Sequence, residues 1–212
     1  MNRKKLTSCG RIFISTALAL TLAGCQAEKP RSADSSVPPP PTPSVAAVAP
    51  AASSVVNAPP TVRTVIRIKA GAPAPWTDSE GHVWAADQGF DGGDTAERPD
   101  VTVTNTAEPG IYRAEHYGMN SFSQPLPNGS YLVKLHFAET FEGIEGPGQR
   151  VFSFNVQGHD FKDFDVWAKA GGPFKAYVES VPVDVTNGKL LITFTTQVEN
   201  PQVNGIEIVP QP

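Results

Sequence analysis

The chain has 212 residues, with 17 Lys and Arg against 21 Asp and Glu, a formal net charge of −4 and 40% hydrophobic residues. That acidic balance argues against nucleic acid and against anionic lipid headgroups as partners.

Arg3, Lys4, Lys5 and Arg11 make the start of the chain basic. The apolar run from Ile12 to Leu20 is far shorter than the roughly 20 residues of a membrane-spanning helix. With those flanks it reads as the apolar region of an export signal. It ends in Leu22-Ala23-Gly24-Cys25: an aliphatic residue, two small residues and a cysteine. This closely resembles the lipobox of bacterial lipoproteins. The resemblance implies a signal peptide over residues 1–24, cleavage before Cys25, a thioether-linked diacylglycerol on Cys25 and acylation of the new N-terminus. Several acyl chains, at about 0.8 kcal/mol per buried CH₂, hold a protein on a membrane where one does not. Gln26 stands where an Asp retains many lipoproteins at the inner membrane, so the same resemblance implies the outer membrane of the cell envelope. Cys9 leaves with the signal, and the remaining cysteine is lipidated, so no disulfide is expected even in an oxidising compartment. The signal also removes four of the 17 basic residues and no acid, leaving 13 against 21. A mature net charge of −8 points to a neutral rather than an anionic glycan as any sugar ligand.

Residues 25–62 form a second segment, the lipidated Cys and a tether. Nine of the 37 positions from 26 to 62 are Pro, and most others are Ala, Ser and Val. Such a composition buries no core. It predicts a spacer, part polyproline II and part coil, reaching between roughly 35 Å and roughly 115 Å. The run Pro38-Pro39-Pro40-Pro41-Thr42-Pro43 also fits an SH3-type ligand, a weaker reading on a lipoprotein.

From residue 63 to 212 the chain is long enough for one domain with its own core. Strand patterning dominates it. Val65 and Arg67 alternate with Ile66 and Ile68. Tyr131, Val133, Leu135 and Phe137 share one face, against Lys134 and His136. Phe152, Phe154 and Val156 repeat the period, as do Val181, Val183 and Val185, then Leu190, Ile192 and Phe194, and last Ile206 and Ile208. Turn residues separate these runs: Asn128-Gly129, Gly146-Pro147-Gly148 and Asn187-Gly188. The two Asn-Gly pairs predict hairpins, because such turns require positive φ at both central residues. No stretch has helical periodicity. The pattern predicts an all-β fold, an antiparallel jelly-roll-like β-sandwich.

Candidate binding residues concentrate between the strand runs, where a rigid sandwich carries its loops. Pro75 to Trp84 holds two Trp in a polar, turn-rich setting. Phe90-Asp91-Gly92-Gly93-Asp94-Thr95 is Gly-rich and acidic. Glu139 to Gly148 contains Phe141, Glu142 and Glu145, and Val198 to Gln202 precedes the last strand. Aromatic faces beside carboxylates suit sugars: the ring stacks on the apolar face of a pyranose and the carboxylate accepts from its hydroxyls.

Several of these runs together resemble the malectin domain family. The start resembles Trp76 to Asp87 followed by Phe90-Asp91-Gly92-Gly93. Tyr112-Arg113-Ala114-Glu115-His116-Tyr117 resembles the family's Tyr-x-x-Glu-Arg-Tyr, and Tyr131 to Glu139 its Tyr-x-Val-x-Leu-x-Phe-Ala-Glu strand. Gly148 to Phe152 and Asn200 to Ile206 follow in order, so the likeness covers nearly all of residues 64–210. It implies a carbohydrate-binding β-sandwich; the animal lectin binds glucose-rich oligosaccharide through aromatic residues and an aspartate. Carried over singly, the second Tyr of Tyr-x-x-Glu-Arg-Tyr falls on Tyr117. The aromatic pair after Phe-Ala-Glu falls on Phe141 and Glu142, and the Asp before Asn-Pro falls on Glu199. A further Tyr in the Gly-rich loop has no counterpart; Asp94 and Thr95 stand nearest. Two aromatic platforms are therefore absent.

Trp76 and Trp84 read as packing residues, and Asp78 and Ser79 as turn makers. His82, His116, His136 and His159 have no transition-metal spacing, and Asp87, Asp91 and Asp94 lack an EF-type calcium arrangement. No cofactor or metal is expected. The reading that follows is a membrane-anchored lipoprotein displaying a non-catalytic carbohydrate-binding module, with neutral oligosaccharide or polysaccharide as partner. A structural or protein-interaction module that has lost sugar binding is the alternative. A glycosidase would need two carboxyls about 5 Å apart or somewhat more, for which Glu139, Glu142 and Glu199 are the candidates.

Overall fold

A computed structural model describes residues 63–212. The signal segment, Cys25 and the tether lie outside the described residues. In chain order the strands are β1 (Ile66–Lys69), β2 (Trp76–Thr77), β3 (Val83–Trp84), β4 (Phe90–Asp91) and β5 (Asp94–Glu97). After the 3₁₀ turn Pro109–Arg113 come β6 (Ala114–Tyr117), β7 (Ser121–Pro125), β8 (Gly129–Phe137), β9 (Val151–Val156) and β10 (His159–Phe164). The short helix α1 (Val166–Ala170) leads to β11 (Tyr177–Val185), β12 (Lys189–Val198), β13 (Gln202–Val203) and β14 (Gly205–Pro210).

Two antiparallel sheets form the sandwich, a four-stranded one in the order β1-β14-β8-β11 and a five-stranded one in the order β10-β9-β12-β7-β4. The period-2 runs seen in the sequence are their inner faces. Val133, Leu135, Phe137, Ile206, Ile208, Val181 and Val183 from the first sheet meet Phe122, Phe152, Phe154, Val156, Leu190 and Ile192 from the second in one buried core. Aromatic rings fill its centre: Phe137 and Phe154 each lie 5.0 Å from Phe164, centroid to centroid. Fully burying a side chain of this size contributes roughly 1.5–3 kcal/mol.

The two Asn-Gly turns are not hairpins. β7 and β8 belong to different sheets, and so do β11 and β12, so each turn is a corner where the chain changes layer. Gly129 and Gly188 take positive φ, but neither Asn does, so the mirror-image turn of a tight hairpin never forms. The corners instead tie to each other: the Gly188 amide donates to Asn128 Oδ1 at 2.9 Å and the Leu126 amide donates to the Gly188 carbonyl at 2.9 Å. The tight hairpin lies at Gln157-Gly158 between β9 and β10, where φ is 50° and 98° and Val156 pairs with His159. Gln157 serves there because Oε1 of its side chain accepts the Leu191 amide of β12 at 2.9 Å.

A third sheet, β13-β6-β5, stands at one end of the sandwich. Asn204 binds it to the rest. Its Oδ1 accepts from the Ala138 amide at 2.7 Å and its Nδ2 donates to the Ala114 carbonyl at 2.8 Å, with no exposure of the residue. The end of β8 and the start of β6 are thereby held to the chain that enters β14.

Candidate functional site

The segment after β8, the Glu199–Pro201 turn after β12, and β5 and β6 meet around a cleft of about 170 Å³, lined by Ala96, Arg98, Glu115, Tyr117, Phe141, Arg150 and Glu199. Three of the four expected sugar-binding residues therefore share one concavity, although they come from three separate stretches of chain. Tyr117 ends β6 and is half-buried, while Phe141 is 44% exposed. Glu199 is exposed and sits at φ 59°. Glu142 does not join them. It lies on the other side of Phe141, in a second depression that shares only Arg98 and Phe141 with the first. Asp94 pairs with Tyr117 across β5 and β6, and Thr95 pairs with His116. An exposed carboxylate thus stands opposite Tyr117.

Beneath the cleft lie charges whose role was not apparent in the sequence. Arg150 Nε meets Glu139 Oε2 at 2.7 Å, with the two side chains 5% and 1% exposed. Arg150 Nη1 also donates to the Asn200 carbonyl, and Glu139 Oε1 accepts from the Phe141 amide at 3.1 Å. Arg150 therefore brackets both loops that carry Phe141 and Glu199. Arg98 pairs with the buried Glu115 at 2.9 Å, and its guanidinium lies 5.7 Å from the Phe141 ring centroid. Burial raises the Glu139 carboxyl above its ordinary value; the charge and hydrogen bond of Arg150 oppose this without overcoming it, and Glu115 adds to the rise. Glu115 was visible within the Tyr112–Tyr117 motif, but a Glu in a short strand carries no sign of its burial.

The glycine-rich loop is fixed against β6 by His116, which occupies the Arg position of the family motif. Its Nδ1 lies 3.0 Å from Asp87 Oδ1, its Nε2 lies 2.9 Å from the Gly92 carbonyl, and Phe90 stacks on it at 4.1 Å. Burial lowers the ring's pKa, but the bonds to Asp87 and Gly92 outweigh it and the net shift is upward. Asp87 also accepts the Gly71 amide at 2.7 Å, so its carboxylate is occupied by protein donors. A Cβ at Gly93, where φ is 86°, would collide with the Tyr117 carbonyl. This close approach is why the loop needs a glycine there.

The packing readings for the N-terminal loop hold. Trp84 is 3% exposed and Trp76 packs beside it in a second apolar cluster. Asp78 is the turn maker: it accepts from the Glu80 and His82 amides at 3.1 and 2.8 Å and from Trp84 Nε1 at 3.0 Å.

The class these features define is a β-sandwich that gathers aromatic rings and carboxylates in a cleft at one end of its sheets. The profile of the malectin domain family matches residues 64–206, and the chain belongs to that family. It is 30% identical over 152 residues to the kinesin-like protein KIN-14E of Oryza sativa subsp. japonica, covering 68% of this chain and 14% of that protein. It is 30% identical over 114 residues to Malectin-B of Xenopus laevis, covering 50% of this chain and 40% of that protein. The chain thus spans less than half the length of these relatives. Among solved structures, a Bacteroides uniformis beta-glucuronidase superposes with a TM-score of 0.63 at 18% identity, over 70% of this chain and 18% of that one. The ANXUR2 extracellular domain from Arabidopsis thaliana superposes with a TM-score of 0.60 at 16% identity, over 68% and 48%. At such identities the likeness is one of fold.

Proposed function

We propose that the chain is a lipoprotein whose malectin domain binds a neutral glycan, without catalysis, at the cell envelope. In this reading residues 1–24 are removed, Cys25 carries the lipid, residues 26–62 give reach, and the outer membrane is the site of anchoring. The observation that supports sugar binding is the convergence of Tyr117, Phe141 and Glu199 on one cleft. Tyr117 and Phe141 offer ring faces for a pyranose, and Glu199 offers an acceptor for paired hydroxyls. Glu139 supports a binding rather than a hydrolytic role, because Arg150 and the Phe141 amide engage both of its oxygens. A catalytic acid needs a carboxyl free to reach the glycosidic oxygen.

A neutral glycan panel probed with the full chain tests the reading. Tyr117→Ala is expected to weaken the bound glycan by about tenfold or more. A folded chain that binds nothing on the panel would favour the interaction-module alternative. Anchoring is tested separately: Cys25→Ala is expected to move the protein from the membrane fraction to the soluble one, and unchanged retention would overturn it.

A further inference from the structure

The second depression is the larger feature of the binding end. Its volume is about 720 Å³ against about 170 Å³ for the first cleft. Ligand sites occupy roughly 300–1,000 Å³, so the first cleft alone is undersized for a long oligosaccharide. The two hollows share Arg98 and Phe141, which makes Phe141 the partition between them. The partition is fixed in place. Arg98 holds the ring from one side, and the ring lies so close over Gly143 that a Cβ there would sit 2.6 Å from ring Cζ.

The far wall is Phe174, and its backbone is unusual. It sits at φ 52°, a region costly for a bulky residue and one in which strain tends to mark functional sites. Its backbone is held in that state. The Phe174 amide donates to the Glu139 carbonyl at 2.9 Å, and the Phe174 carbonyl accepts from the Thr104 amide at 2.9 Å and from Thr104 Oγ1 at 3.3 Å. The ring belongs to neither apolar core; it lines the depression. The bond to Glu139 ties this wall to the same loop that presents Phe141. The rest of the lining includes the exposed Asp100, Thr102 and Glu142, whereas Thr140 is buried with its hydroxyl on Glu115. Hydroxyls and carboxylates there suit sugar hydroxyls and repel anionic sugars, and the cation at the border, Arg98, is already paired with Glu115.

We propose that this depression is a second sugar subsite, continuous with the first across Phe141. The domain would then take an extended stretch of a neutral glycan chain rather than a terminal unit. Phe174 is its stacking platform, and Glu142 and Asp100 are its acceptors. The inference rests on the carbohydrate-binding reading of the first cleft.

Calorimetric titration of the full chain with disaccharides and hexasaccharides of malto-, cello- and laminari-type tests it. For the linkage that binds, the hexasaccharide is expected to bind about tenfold tighter than the disaccharide. Phe174→Asn removes the ring while keeping a residue that tolerates positive φ. It is expected to bring the hexasaccharide down to the disaccharide's affinity and to leave the disaccharide unchanged. Thr102→Trp, which places a bulky side chain in the lining of the hollow, is expected to do the same. Equal affinity for short and long ligands would overturn the second subsite and leave the first intact. Loss of disaccharide binding in both variants, with the fold preserved, would also overturn it. No binding by any of the sugars would overturn both readings.

Discussion

Replacing Arg150 with Ala strands a carboxylate that is almost wholly buried. Glu139 would lose its 2.7 Å partner, and breaking a buried ion pair from one side costs about 3–5 kcal/mol. Urea unfolding of Arg150→Ala is therefore expected to show a loss of that size. The double variant Arg150→Met, Glu139→Leu is expected to recover most of it, because no uncompensated charge remains. An equal loss in both would place the cost in packing rather than charge. At this scale the sequence was informative only where the family motif marked a residue. Tyr117, Phe141 and Glu199 were identifiable from their motif positions, and the chain does bring them together. Glu142 was carried over because the family's aromatic pair falls on Phe141 and Glu142, but successive residues of a loop can face different sides, and Glu142 lines only the second hollow. Glu115 and Arg150 fall within matched motif runs and Arg98 outside them, but none showed its burial or pairing, since a charged residue reads as exposed until its partner is located. Phe174 was hidden for a different reason: backbone dihedrals are set by tertiary hydrogen bonds to Glu139 and Thr104.

Strands were legible because the inner face of a sandwich imposes apolar residues at every second position. The runs through Phe137, Phe154, Val183 and Ile192 all lie where the alternation places them. Which sheet a strand joins was not legible, because alternation is the same on either side of the core. Hence the Asn-Gly pairs, read locally as hairpins, are corners between layers. The rings that cross the core make a sharp test of that arrangement. Phe137 from the first sheet lies within 6.2 Å of Phe152 and 5.9 Å of Phe154 from the second. Phe137→Ala is expected to cost about 3–5 kcal/mol in urea unfolding, by lost transfer energy and the cavity left behind. Phe141→Ala removes a ring of the same size from a 44% exposed site. It is expected to cost well under half as much while weakening sugar binding. Comparable losses for the two would mean that Phe141 is a core residue.

For the whole domain, stability against pH is governed in the neutral range by two histidines of opposite sign. His136 is enclosed by Trp84 at 5.4 Å and by Tyr112, whose hydroxyl lies 3.1 Å from its Nδ1. Burial lowers its pKa to about 4; the Glu207 carboxylate opposes that shift and Lys134 adds to it. The unfolded ring titrates at about 6.5. Between these values the unfolded chain binds a proton that the native ring refuses. Stability therefore falls as the pH drops from about 6.5 to about 4, by about 3 kcal/mol in all. His116 behaves in the opposite way. Its folded pKa is raised, so its contribution is complete below the unfolded value of about 6.5 and is lost as the pH rises through the folded one. Asp78 and Glu207, whose folded values are lowered, withdraw their contributions only below the ordinary carboxylate range, while Glu139, whose folded value is raised, partly offsets the His136 limb as the pH falls towards that range. The two limbs together place the maximum of stability near pH 6.5. Chemical denaturation across pH 4–9 is expected to trace that dome. His136→Asn should flatten its acid limb alone, and His116→Gln its alkaline limb alone. If either variant leaves its limb unchanged, the native contacts of that ring do not set the slope. Loss of the alkaline limb also bears on the binding cleft, because the bond from His116 to Gly92 holds the glycine-rich loop against β6, the strand that ends in Tyr117.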